Sequence, residues 1–151
     1  MRIIIAYEST HGNGRTLVET LGDMMLEKGH RVDIFKVGDT NAGSIPDADL
    51  YVFSSPTHLS GPPRSVKKFL KGFRPAREGA CYALMATFWR TGDQEPTNLT
   101  TIPKMDRLLA GKGMRKVEEQ PFFVQGVKGP LEEGYREKLM DFAGRVLSST
   151  G

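Results

Sequence analysis

Apolar positions along the chain follow two alternating periods from one end to the other. Residues 2–7, RIIIAY, form an unbroken apolar run, the pattern of a strand buried on both faces. Residues 14–29 switch to helical spacing, with Leu17, Leu21 and Met24 or Met25 on one side and Gly29 as a stop. RVDIFKV, 31–37, alternates Val32 and Ile34 with a more polar side, as an edge or near-edge strand does. DLYVFSS, 49–55, is a second apolar run. Pro62 and Pro63 then open a helix running to about residue 72, with Val66, Phe69 and Leu70 inward. ACYALMATF, 80–88, predicts a third buried strand, followed by a polar loop over 89–97 and a helix at about 98–112 that ends in GKG. VEEQPFFVQG, 117–126, predicts the last strand, extended across a bend at Pro121. The closing helix, 131–149, carries Leu131, Tyr135, Leu139, Phe142 and Val146 on one side.

Strands alternating with helices imply a parallel sheet covered on both faces. With no internal repeat and no dividing linker, residues 1–151 read as a single doubly wound α/β domain, a three-layer sandwich on a five-stranded parallel sheet. Such sheets bind ligands beyond the carboxyl ends of their strands, at the point where the strand order reverses. The polar loops 8–15, 55–63 and 88–97 are therefore expected to meet there.

Composition narrows the class. Hydrophobic residues at 38% and charged residues at 26% over 151 positions describe a globular chain with a sizeable core. No apolar run approaches the ~20 residues of a membrane span, and MRIII is too short for a signal peptide. The single cysteine, Cys81, has no internal disulfide partner, which fits a reducing cytoplasm, and its place in a buried strand reads as core. A net charge of +3 is weak support for an acidic partner and calls for neither nucleic acid nor a membrane. No His/Cys/Asp/Glu cluster has metal spacing and no Ser-His-Asp arrangement is evident.

The chemistry gathers in the first loop. In AYESTHGNGRTL, residues 6–17, glycines let backbone approach a ligand, and the start of the following helix supplies free N–H groups and a positive dipole end. Ser9, Thr10 and Asn13 add side-chain donors and Arg15 a charge, so a phosphate fits; a helix cap with nothing bound is the plainer alternative. The chain has no GxxxxGK[ST] and no GxGxxG with a distant acid, which excludes a P-loop hydrolase and disfavours a dinucleotide site. A phospho-acceptor receiver would place acidic residues at the ends of the first and third strands. Here those ends read Tyr7-Glu8 and Ser54-Ser55.

YESTHGNG resembles the phosphate-binding loop of the flavodoxin family, aromatic-x-[Ser/Thr]-x-x-Gly-Asn-Thr, matched by Tyr7, Ser9, Gly12 and Asn13. Gly14 stands where the family usually has Thr, which removes one hydroxyl, and His11 replaces a commoner Thr. SSPTHLSGPP is similar to the family's second flavin loop, with Pro56, Thr57, His58 and Leu59 at the positions before and against the ring. TFWRTGD resembles the third loop of the short-chain type. The resemblance implies strand order 2-1-3-4-5 with flavin mononucleotide (FMN) at the switch point; the family is itself the standing example of that arrangement.

It also implies the cofactor contacts: phosphate on Ser9, Thr10, Gly12, Asn13 and Gly14, with His11 a further cofactor-binding position in that loop, and the ring among Pro56, Thr57, His58, Leu59 and Gly61 on one side and Phe88, Trp89, Gly92 and Asp93 on the other. Trp89 is the expected stacking residue, with Phe88 as the alternative. His58 is either a ring contact or a solvent-facing loop histidine. In the family a peptide near flavin N5 often flips to accept a hydrogen bond from the reduced ring, and Ser60 and Gly61 supply a flexible peptide there. The implied function is FMN-based electron transfer between redox partners, for which no side chain need act as a general acid or base. Two alternatives stand beside it: an FMN-dependent NAD(P)H:quinone-type oxidoreductase, and a binding module with weak or no FMN affinity. Arg64, Lys67, Lys68, Lys71, Arg74 and Arg77 form a basic run read as lying beside the second loop, either a solvated helix face or a dock for an acidic redox partner. A monomer and a dimer are both compatible with this reading.

Overall fold

The structure is a computed structural model that describes residues 1–90 and 99–151. Five strands, β1 (Arg2–Tyr7), β2 (Arg31–Lys36), β3 (Leu50–Pro56), β4 (Cys81–Trp89) and β5 (Arg115–Val124), pair in parallel in the order β2-β1-β3-β4-β5. Four α-helices connect or close them: α1 (Asn13–Glu27), α2 (Arg64–Gly72), α3 (Thr101–Leu109) and α4 (Tyr135–Thr150). α1 packs with α4 on one face and α2 with α3 on the other. The expected doubly wound sandwich and strand order are therefore observed.

The apolar runs divide by strand parity. Ile3 and Ile5 join Leu17, Leu21, Val52, Met85 and Phe142 in the core on the α1/α4 side, while Ile4 joins Tyr51, Phe53, Phe69, Phe73 and Leu84 on the α2/α3 side. This is why β1, β3 and β4 read as continuous hydrophobic runs. β2 is an edge, and Ile34 there is 39% exposed. Cys81 is buried, as expected.

β5 starts and ends two residues earlier than the 117–126 expected from sequence. It extends across Pro121, which pairs with Ala86, as the sequence predicts, and the register irregularity against β4 falls earlier, opposite Tyr82 and Ala83; as the outer strand, β5 tolerates a proline without its N–H. The last helix starts at Tyr135, four residues late, because Leu131 forms an antiparallel bridge with Val124 and Gly134 adopts a left-handed conformation just before the helix. α3 begins at Thr101; the expected start near 98 lies outside the described residues. None of the described helices is long and apolar enough to cross a membrane.

Candidate functional site

The strand order reverses between the neighbours β1 and β3, and the segments at and beyond the carboxyl ends of β1, β3, β4 and β5 frame a cavity of about 270 Å³. After Tyr7 the chain turns through Gly12, at φ +90°, into α1. A helix leaves its first N–H groups without intrahelical partners. No side chain caps them in α1, and its first turn holds no acidic residue. Ser9 Oγ accepts from the Gly12 N–H at 3.0 Å and keeps its own proton to donate. Uncapped donors, a positive helix end and the Ser9 hydroxyl proton make a fitting cradle for a phosphate such as that of FMN.

The Gly14 departure has a steric setting. A Cβ at Gly14 would stand 3.2 Å from the Glu8 carbonyl oxygen, so the loop folds closer to the helix than a threonine there tolerates comfortably. Thr16 supplies no replacement hydroxyl, since it donates to the Gly12 carbonyl at 3.0 Å within the helix.

Of the expected contacts, Ser9, Thr10, His11, Asn13, Gly14, Pro56, Thr57, His58 and Trp89 all line the cavity. Thr10 Oγ1 and His58 Nε2 meet at 2.9 Å, joining the first and second loops across its mouth. Trp89 is 60% exposed, whereas Phe88 is 4% exposed and packs against Phe123 at a centroid distance of 6.2 Å. The strand period of two decides between them: Thr87 and Trp89 face the cavity and Phe88 faces the core, so Phe88 is corrected from ring contact to core residue. Gly12 opens instead onto a shallow depression shared with Arg15, Lys36 and Asp39. Gly92 and Asp93 lie outside the described residues.

The second loop is a two-residue hairpin turn. His58 and Gly61 exchange backbone hydrogen bonds of 2.8 and 3.1 Å. Leu59 and Ser60 between them have φ of +47° and +72°, the left-handed region that suits such a turn but that non-glycine residues rarely occupy. Leu59 stands fully exposed at the tip and does not line the cavity. Gly61 is buried against the Lys104 side chain, which a Cβ would meet at 3.3 Å. The Ser60 carbonyl accepts from Lys104 Nζ at 3.0 Å and from the Thr100 hydroxyl, and Thr57 Oγ1 lies 2.7 Å from Thr101 Oγ1. The start of α3 thus holds the second loop in place. Thr100, Thr101 and Lys104 were not singled out in the sequence, where they read only as a helix start.

Also missed were Thr87, Val124 and Val127 on the cavity wall. Just past Trp89, Arg90 Nε donates to Glu132 at 2.9 Å and its guanidinium lies 3.8 Å from the centre of the Phe123 ring. The hydrogen bond from Arg90 holds the Glu132 carboxyl below the usual carboxylate range.

The basic run separates. Arg64, Lys67, Lys68 and Lys71 are exposed on α2, and none makes an ion pair among the described residues. Arg74 turns back onto the Lys71 and Phe73 carbonyls. Arg77 is corrected to the opposite end of the sheet, where it pairs with Asp47 and Asp49 below β3. The described residues hold no group of three or more His, Cys, Asp or Glu placed for a metal.

Comparison with known proteins agrees with this geometry. No curated protein sequence matches the chain. Among solved structures, it superimposes on a flavodoxin from Streptococcus pneumoniae TIGR4 with TM-score 0.77 at 19% identity, covering 98% of this chain and 99% of that one. Flavodoxin 1 from Bacillus cereus gives TM-score 0.79 at 14% identity, with 98% of each chain covered. Rubredoxin oxygen:oxidoreductase from Desulfovibrio gigas gives 0.75 at 20% identity; 99% of this chain is covered but it spans only 36% of that protein. At these identities the likeness shows the fold. The flavodoxin family model, in contrast, matches residues 5–141, and the chain belongs to the flavodoxin family, whose cofactor is FMN.

Proposed function

We propose that the chain carries electrons between redox partners on FMN held at the carboxyl end of the sheet. The carrying observation is that an uncapped helix start and an exposed tryptophan face one cavity. FMN, when bound, supplies one- and two-electron chemistry. Ser9, Thr10 and the first N–H groups of α1 bind its phosphate. Trp89 covers a ring face, and Pro56, Thr57 and His58 border the ring. The carrier reading needs only this one cofactor site, whereas a reductase must also seat a nicotinamide over the ring. Arg64, Lys67 and Lys68, at the end of α2 nearest the site, offer an acidic partner a docking face, with Lys71 a further turn away.

The test is a visible spectrum of the purified protein after FMN is added and free flavin filtered away. A retained yellow chromophore with quenched fluorescence supports the reading. A colourless retentate overturns it in favour of a binding module without FMN. Steady NAD(P)H consumption by the loaded protein alone favours the reductase.

A further inference from the structure

From the end of β5 the chain makes a small closed excursion whose two ends, 124–126 and 131, the sequence reading assigned to strand and helix. Val124 bridges Leu131, Gln125 N–H donates to the Pro130 carbonyl at 2.9 Å, and Gly129 N–H donates to the Gly126 carbonyl at 3.1 Å. Residues 124–131 are therefore a hairpin with its tip at 126–129. That tip rests on the phosphate loop. Asn13 Nδ2 donates to the Lys128 carbonyl at 3.3 Å. Gly129, at φ +106°, leaves the space into which the Asn13 amide fits: a Cβ there would stand 2.6 Å from Asn13 Oδ1 and 3.0 Å from Nδ2. Val127, beside this contact, lines the cavity together with Ser9 and Thr10.

We infer that the 124–131 hairpin is a fourth wall of the cofactor site, and that Asn13 is a positioning residue latching it to the phosphate loop. This rests on the reading that the FMN phosphate lies at residues 9–14. The physical reason is preorganisation. Asn13 begins α1, so fixing its side chain against the hairpin fixes the loop that presents the first N–H groups of the helix. A loop already in its bound shape loses less freedom on binding. The side-chain amide is then engaged by the hairpin, and the anion is met by backbone and hydroxyl donors.

A double-mutant cycle tests this, using Asn13→Ala, Gly129→Ala and the pair, with FMN and riboflavin dissociation constants read by flavin fluorescence quenching. Each single change is expected to weaken FMN about 10-fold and riboflavin, which lacks the phosphate, much less. The pair is expected to weaken FMN no more than either alone, because both remove one latch. Effects that multiply to about 100-fold, or an unchanged FMN affinity in Gly129→Ala, would overturn the inference in favour of Asn13 acting on the phosphate directly. Hydrogen exchange of the FMN-free protein gives an independent arm. Asn13→Ala is expected to speed exchange at 126–129 while β1 and β3 keep their protection, and unchanged exchange at 126–129 overturns the latch. A wild-type protein that retains no FMN overturns the cofactor reading instead, and the exchange arm still decides whether the latch exists.

Discussion

The two loops that meet across the cavity through Thr10 and His58 are built in opposite ways. The first loop, the proposed phosphate site, takes its turn from neighbours within a few residues, and its long-range contacts, Thr10 with His58 and Asn13 with the Lys128 carbonyl, lie on either side of that turn. Gly12 takes the left-handed turn, its N–H goes to Ser9 three residues back, and its carbonyl accepts the Thr16 hydroxyl four residues on. The ring loop is shaped from far away. Its turn places Leu59 and Ser60, neither of them glycine, at positive φ, and the carbonyl of Ser60 is held by Thr100 and Lys104, 40 and 44 residues downstream. An anion is met by fixed backbone dipoles, which one short segment can supply. A flat ring is met by side chains and by a turn whose shape depends on the rest of the fold.

The sharpest way to separate the two ends is Trp89→Ala. The side chain is 60% exposed and lines the cavity, so on the proposed reading its loss removes ring contact and leaves the first loop untouched. Stacking area and ring-ring contact together predict a loss of roughly 10- to 100-fold, or about 1.4–2.8 kcal/mol. Because the ring is common to both ligands, FMN and riboflavin should weaken by the same factor and fluorescence quenching should diminish. Weakening of FMN alone would mean that the tryptophan serves the phosphate end, and the division between the two loops would fail.

The same division explains what the sequence made legible. The phosphate loop was readable because its determinants are consecutive: glycines, hydroxyls and a helix start within YESTHGNG. The strands were readable because the parallel sheet is buried on both faces and shows as apolar runs. Trp89 was readable as a candidate, but the choice against Phe88 needed the phase of β4, which only the pairing of Thr87 with Phe122 and Trp89 with Val124 in the sheet fixes. Lys104 and Thr100 left no local signal, since a lysine and a threonine at a helix start look like ordinary surface. Arg77 was misplaced because a charge run in sequence spans both ends of a sheet once a helix of nine residues intervenes. The 124–131 hairpin was hidden by Leu131, whose apolar character suits the phase of α4 although it pairs with Val124 instead.

A smaller effect probes how strongly α3 holds the ring loop. Lys104→Met keeps the apolar stem beside Gly61 and removes the ammonium from the Ser60 carbonyl. Thr100 still donates to that carbonyl, so the loss is part of what a charged hydrogen bond contributes, about 1 kcal/mol. FMN and riboflavin are expected to weaken together about 5-fold, by the same thermodynamic scale. Hydrogen exchange at 58–61 should rise in the FMN-free protein. If only FMN weakened, Lys104 would be acting on the phosphate charge and not on the turn.

The smallest effect bears on the turn itself and has the opposite sign. Leu59 sits at φ +47° with its side chain fully exposed, so nothing packs against it to compensate the left-handed conformation. That conformation costs an L-residue about 1–2 kcal/mol, which glycine avoids. Glycine also gains freedom in the unfolded chain, which takes back about 0.5–1 kcal/mol. Leu59→Gly is therefore expected to stabilise the protein by about 0.5 kcal/mol, read as a higher urea midpoint at unchanged slope. An Asn-Gly pair at 59–60 should do at least as well, because a turn with two positive φ values prefers that sequence. A destabilised Leu59→Gly protein would show that the leucine stores no strain, and the ring loop would then be as locally determined as the phosphate loop it faces.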